Sequence, residues 1–121
     1  MTGIRTGKRG EELAAACLRE AGYRILDRNY RCLFGEIDIV AEEGGSLVFV
    51  EVKSRRSDAY GPPQLAIGRQ KQKKISRASL HYLSEKRLNP RRVRFDVVAI
   101  RMTPAGNRVE LIRDAFEFSF V

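Results

Sequence analysis

The chain has 121 residues and 43% hydrophobic content, enough for one domain with a packed core and too apolar for disorder. Its 23 Lys and Arg against 15 Asp and Glu give a formal charge of +8. Such an excess points to a polyanionic partner, nucleic acid before an anionic membrane surface, with a merely solubilising surface as the alternative.

Residues 1–8 are basic and carry Gly and Thr, so they read as a frayed tail. A helix is expected from about Arg9 to Ala21, with Leu13, Ala14, Cys17, Leu18 and Ala21 on one face and Gly22 as its stop. Tyr23–Tyr30 reads as a first strand. In the second, Ile37, Ile39 and Ala41 alternate with Glu36, Asp38 and Val40. Gly44 and Gly45 form a turn into a third strand, Leu47–Ser54. That strand is apolar on both faces until Glu51, the mark of a central position. After the polar loop SRRSDAYGPPQ, Pro62 and Pro63 read as a helix start, with the helix reaching about Lys86 and a break near Gly68. Ile75, Ala78, Ser79, Tyr82 and Leu83 form its inward face, and Asn89-Pro90 stops it. Arg94–Met102 and Val109–Ile112 are the last strands, and the tail AFEFSFV is apolar enough to pack on the core or to meet a partner. No repeat, low-complexity segment or linker interrupts the order α-β-β-β-α-β-β, which describes a single α/β domain with a mixed sheet.

Cys17 and Cys32 are too few for a disulfide framework, and with the one histidine, His81, they make no recognisable zinc site. His81 reads as structural. The N-terminus lacks the apolar segment of a signal peptide, and no run approaches the roughly 20 residues that span a bilayer, so a reducing cytoplasm is expected and no membrane partner.

The charges inside the second and third strands carry the functional reading. Glu51 and Lys53 lie two residues apart and so share a face, while a short hairpin allows Asp38 to approach Glu51. Two carboxylates make a hard oxygen site suited to Mg²⁺ or Mn²⁺, and a lysine beside them can orient a water and neutralise phosphate charge. The competing reading is a solvated Glu-x-Lys on an exposed strand face, which the apolar run LVFV argues against. Glu36, Lys71 and Gln64 are second-rank site candidates; Lys71 falls one turn before Ile75, from where it can reach the strand end bearing Glu51. Arg9, Arg55, Arg56, Arg69, Lys73, Lys74 and Arg77 are candidate phosphate contacts, with an ordinary solvated surface as the alternative. The chain has no zinc finger, RRM signature or helix-turn-helix, so recognition of backbone and shape is expected.

Three motifs, GEIDIV, LVFVEVKSR and RFDVVA, occur in order behind a helix carrying Gly10-Glu11, and over nearly the whole chain this pattern resembles the YraN-like family of bacterial proteins. That family is similar in turn to archaeal Holliday-junction resolvases and to the PD-(D/E)XK nuclease fold. The resemblance implies a mixed sheet flanked by helices and an active site of Asp38, Glu51 and Lys53 with a glutamate from the first helix. Glu11 fits the family position, and helical geometry places it at the border of the apolar face while Glu12 points away. Ile37 stands where the wider nuclease pattern has proline. The implied activity is a Mg²⁺- or Mn²⁺-dependent endonuclease on structured or branched DNA, with a homodimer by analogy to resolvases. The alternative is a non-catalytic nucleic-acid-binding module on the same fold.

Overall fold

A computed structural model describes residues 2–55 and 67–120, with side chains of the first helix described from Lys8 onward. In chain order the elements are α1 (Thr2–Glu20), β1 (Arg24–Cys32), β2 (Gly35–Glu43), β3 (Ser46–Arg55), α2 (Arg69–Glu85), β4 (Arg92–Thr103) and β5 (Gly106–Phe116). The expected α/β order is present. The first helix begins at Thr2, upstream of the expected Arg9, so helical backbone includes most of the basic segment read as a frayed tail. The second begins at Arg69 with Gly68 at its N-cap; the expected start at Pro62-Pro63 lies outside the described residues. Among those residues no helix is long and apolar enough to cross a membrane.

The five strands form one sheet in the order β1-β2-β3-β4-β5. β1, β2 and β3 run antiparallel in sequence, β4 is parallel to β3, and β5 returns antiparallel to β4. A parallel neighbour requires a crossover, and α2 lies within the connection that supplies it. β3 is therefore central, as its two-sided apolar run predicted, and it is buried from Ser46 through Glu51.

Each face of the sheet carries one helix. Ala14 and Leu18 of α1 pack with Ile39, Ala41, Val48, Val50, Val98 and Ile100. Ile75, Ala78 and Tyr82 of α2 pack with Ile37, Val40, Leu47, Phe49, Phe95 and Val97 on the other face. Burying each such aliphatic or aromatic side chain contributes about 1.5–3 kcal/mol. α1 ends at a left-handed glycine, Gly22 (φ 90°), whose amide donates to the Arg19 carbonyl while the Tyr23 amide donates to that of Leu18. These are the two hydrogen bonds of a Schellman stop. The C-terminal aromatic tail closes the α2 face: Phe116 stacks on Phe95 at 5.0 Å between ring centroids, and Phe118 meets it edge-on at 4.8 Å.

RFDVVA, one of the three resemblance-bearing motifs, turns out to hold the fold together. Asp96 is fully buried on the α1 face. It accepts from Tyr23 Oη at 2.6 Å, from Arg94 Nε at 2.8 Å and Nη2 at 3.0 Å, and from the Asp114 amide at 2.9 Å. Arg94 also reaches Glu43 at 2.9 Å, which pairs with Arg113 at 3.0 Å. This network ties the end of α1 to β2, β4 and β5. Removing one partner of a buried ion pair strands the other, so Asp96→Ala is expected to cost about 3–5 kcal/mol. Urea denaturation checks this; a loss below about 1 kcal/mol would mean that the network is dispensable.

Candidate functional site

The site forms where β2 and β3 separate. Their ladder begins at Ile39↔Val50, and upstream of Ile39 no β2 residue pairs with β3. In a regular strand Ile37 and Ile39 would share a face, as the sequence pattern predicted. Instead Ile37 joins the α2-side core and Ile39 the α1-side core, so the alternation breaks at Asp38. On β1 the residue opposite Asp38 is Asn29, between the pairs Arg28↔Ile39 and Tyr30↔Ile37. Asn29 has φ 55°, a left-handed conformation that asparagine tolerates better than most residues. The irregularity frees Asp38 to turn its carboxylate to β3, where Oδ2 accepts the Val52 amide at 2.8 Å. A side chain thus replaces a ladder acceptor at the opening between the strands.

Glu51 sits beside Asp38 and is only 5% exposed. Its Oε1 lies 3.1 Å from Lys71 Nζ on α2. Among the described residues its Oε2 is buried without a hydrogen-bond partner. Burial, then the charge of Asp38, pushes the Glu51 carboxyl up to about 8, with Lys71 opposing the shift. Burial likewise raises Asp38, against the Val52 amide and the Lys71 charge. For Lys71 burial disfavours the ammonium, yet the ion pair with Glu51 and the Asp38 charge more than offset it, and the lysine is held above its ordinary value.

On the α1 side a pocket of about 260 Å³ is lined by Glu11, Asp38, Val52, Lys53 and Ser54. Gly10 brings Glu11 there by close approach: a Cβ at Gly10 would sit 2.6 Å from Ser54 Oγ. A Cβ there would push the Ser54 hydroxyl into another rotamer, so glycine is the residue that fits α1 against the end of β3 without a shift. Glu11 Oε2 accepts from Asn29 Nδ2 at 3.3 Å and stands 4.0 Å from Arg28. Glu12 is exposed and pairs with Arg28 at 2.7 Å. Of the two glutamates, Glu11, the one the resemblance pointed to, lines the pocket.

The residues expected to act together fall into two adjoining groups. Asp38 and Glu51 meet with Lys71, while Lys53 is exposed and lines the pocket with Glu11 and Asp38. Among the described residues no three His, Cys, Asp or Glu side chains converge as a metal cage. The expected three-carboxylate set is thus a pair, Asp38 and Glu51, with Glu11 held across the pocket by Asn29 and Arg28. Glu36 is exposed and turned to Arg31 at 3.6 Å, although its charge reaches Asp38. Arg9, Arg69, Lys74 and Arg77 are exposed, and Lys73 and Arg55 are half-buried. Gln64 and Arg56 lie outside the described residues. Sequence reasoning missed Asn29, whose signal was an asparagine, a poor strand former, in mid-strand.

A family model described as "Uncharacterised protein family UPF0102" matches residues 10–100. The chain belongs to the UPF0102 family. A UPF0102 protein of Syntrophus aciditrophicus is 63% identical over 117 residues, covering 97% of this chain and 92% of the relative. One from Pelobacter propionicus is 52% identical over 118 residues, 95% of this chain and 84% of its own. One from Moorella thermoacetica is 47% identical over 120 residues, 96% and 98%. The UPF0102 match begins at Gly10 and takes in Glu11, Asn29, Asp38, Glu51, Lys53 and Lys71, whereas β5 and the aromatic tail lie beyond it.

The carboxylate pair makes stability depend on pH. A carboxyl raised in the folded state keeps its proton there after the unfolded chain has lost it, so stability declines as pH rises between the two values. For Glu51 that window runs from its ordinary 4.5 to about 8. In chelator, stability by denaturant titration is expected to fall across this window, and Glu51→Gln to flatten the decline. An unchanged slope in the variant would place the pH dependence elsewhere.

Proposed function

We propose that this UPF0102 protein is a metal-dependent endonuclease acting on structured or branched DNA in the cytoplasm, on a PD-(D/E)XK-like core. One observation carries the reading: a buried carboxylate, Glu51, set against Asp38 where two strands separate, with one oxygen that has no donor among the described residues. Charge of one sign concentrated in a buried place favours a cation there. The donors fit Mg²⁺ or Mn²⁺, which are bound through one or two carboxylates and otherwise keep water. Asp38 and Glu51 would hold the ion; when bound, it neutralises phosphate charge and makes water more acidic.

The chain's own residues supply the rest. Lys53 orients the attacking water and meets phosphate charge at the pocket. Glu11, fixed by Asn29, accepts a hydrogen bond from that water and sets its direction. Water oxygen bonds to phosphorus as the bond to the bridging oxygen breaks; the water's proton passes to the Glu11 carboxylate, and the leaving oxygen takes a proton from solvent. The exposed arginines and lysines of α2 and α1 follow the DNA backbone.

A second reading, a non-catalytic nucleic-acid-binding module, is favoured by Lys71. Its ammonium already stands 3.1 Å from Glu51 and offsets one charge of the pair without metal. Calorimetric titration with Mn²⁺ separates the two, since the nuclease reading requires saturable binding that Asp38→Asn removes. With Mg²⁺ or Mn²⁺, a panel of branched, flapped and single-stranded DNA is expected to be cut, and Asp38→Asn to lower the rate by on the order of 10²–10³. Intact substrates together with no metal binding would leave the binding module as the function.

A further inference from the structure

At the site end of the sheet the β1–β2 turn carries two apolar side chains outward. Leu33 is 92% exposed and Phe34 43%. β1 and β2 stay paired up to Cys32↔Gly35, so the turn is held at the end of a regular hairpin. Phe34 lies four residues before Asp38, about 13 Å along the strand. β2 is unpaired with β3 over this length, so the hairpin projects past the carboxylate site.

α2 links the two places. Lys71 at its start pairs with Glu51. One turn on, Lys74 backs onto Gly35, where a Cβ would meet the Lys74 side chain at 3.6 Å. Two turns further His81 meets the Phe34 ring edge-on, 5.9 Å between centroids. Arg77, exposed, falls between Lys74 and His81 on this stretch of helix, at i+3 from one and i−4 from the other. Arg31 flanks the turn from β1. An apolar tip bordered by Arg31, Lys74 and Arg77, with Glu36 paired to Arg31 at 3.6 Å and Glu85 to His81 at 3.8 Å, on the hairpin that carries Asp38, has the composition of a base-stacking wedge. Exposed apolar side chains of this kind insert between neighbouring bases and part them while neighbouring Lys and Arg hold phosphates.

We propose that Leu33 and Phe34 form a wedge that stacks against an unstacked base at the branch of structured DNA, with Arg31, Lys74 and Arg77 on the flanking phosphates. The inference rests on the nucleic-acid reading above and adds the feature that selects branched over linear substrate. It places the branch at the hairpin tip and the scissile phosphate at Asp38.

The test uses the full chain in chelator, so that only binding is read. The probes are a four-way DNA junction with 2-aminopurine at its centre and a linear duplex of equal length. Wild-type protein is expected to prefer the junction and to brighten the probe. The Leu33→Ser, Phe34→Ser double variant removes exposed side chains; it is expected to bind duplex as wild type does but to lose roughly tenfold in junction affinity and the brightening. Lys74→Ala with Arg77→Ala is expected to weaken both DNAs alike and to flatten the salt dependence. A double variant that keeps junction preference and brightening overturns the wedge alone, as does wild-type binding without preference. A wild-type dimer that the double substitution turns into a monomer by light scattering assigns the tip to a second copy and also overturns it. Failure of the wild type to bind either DNA overturns the wedge together with the nucleic-acid reading.

Discussion

The structure turns on one apposition, Asp38 against Glu51 at the mouth between β2 and β3. Two carboxylates brought together out of water oppose each other, and burial opposes each separately. Such a pair persists only if a proton, an ammonium or a metal ion shares the space. Here α2 delivers an ammonium, Lys71, and one Glu51 oxygen still has no donor among the described residues. The central strand, the crossover through α2 and the irregularity opposite Asn29 all serve to hold this unfavourable arrangement.

A second buried carboxylate shows what a satisfied one looks like. Asp96 lies one strand away, in register with Val50, next to Glu51 on β3. It is more buried than Glu51, yet it accepts four hydrogen bonds from tyrosine, arginine and a backbone amide. Asp96 is matched by donors and knits α1, β4 and β5 together. Glu51 has fewer donors among the described residues and lies beside Asp38, which lines the pocket. Buried charge in one case supplies cohesion and in the other leaves binding capacity, and the number of donors supplied decides which.

Much of the architecture was legible because it follows from periodicity. The hairpin at Gly44-Gly45, the central character of β3, the stop at Gly22 and the inward face of α2 all come from local rules. The choice of Glu11 over Glu12 rested on the family resemblance, with helical geometry in agreement. Less legible was β2, where strict alternation misplaced Ile37 relative to Ile39. The break depends on a left-handed residue in another strand, and no pattern within β2 announces it. The role of RFDVVA was hidden for a related reason: Arg94, within the motif, gives two of the four hydrogen bonds to Asp96, but the other two donors lie 18 and 73 positions away.

By itself, then, the sequence determined which segments become helices and strands, which faces are apolar, and which charged residues stand at odds with their strands. The reach of Lys71 toward Glu51 was visible in the helical spacing, but only the tertiary structure decided that the two form an ion pair, that Asn29 fixes Glu11, that Lys53 sits with Glu11 across the pocket, and that the Leu33–Phe34 tip projects beside them. Local preferences act over a few residues and can be read along the chain. These contacts join elements through the sheet register and the crossover, and their energies exist only once those elements are packed.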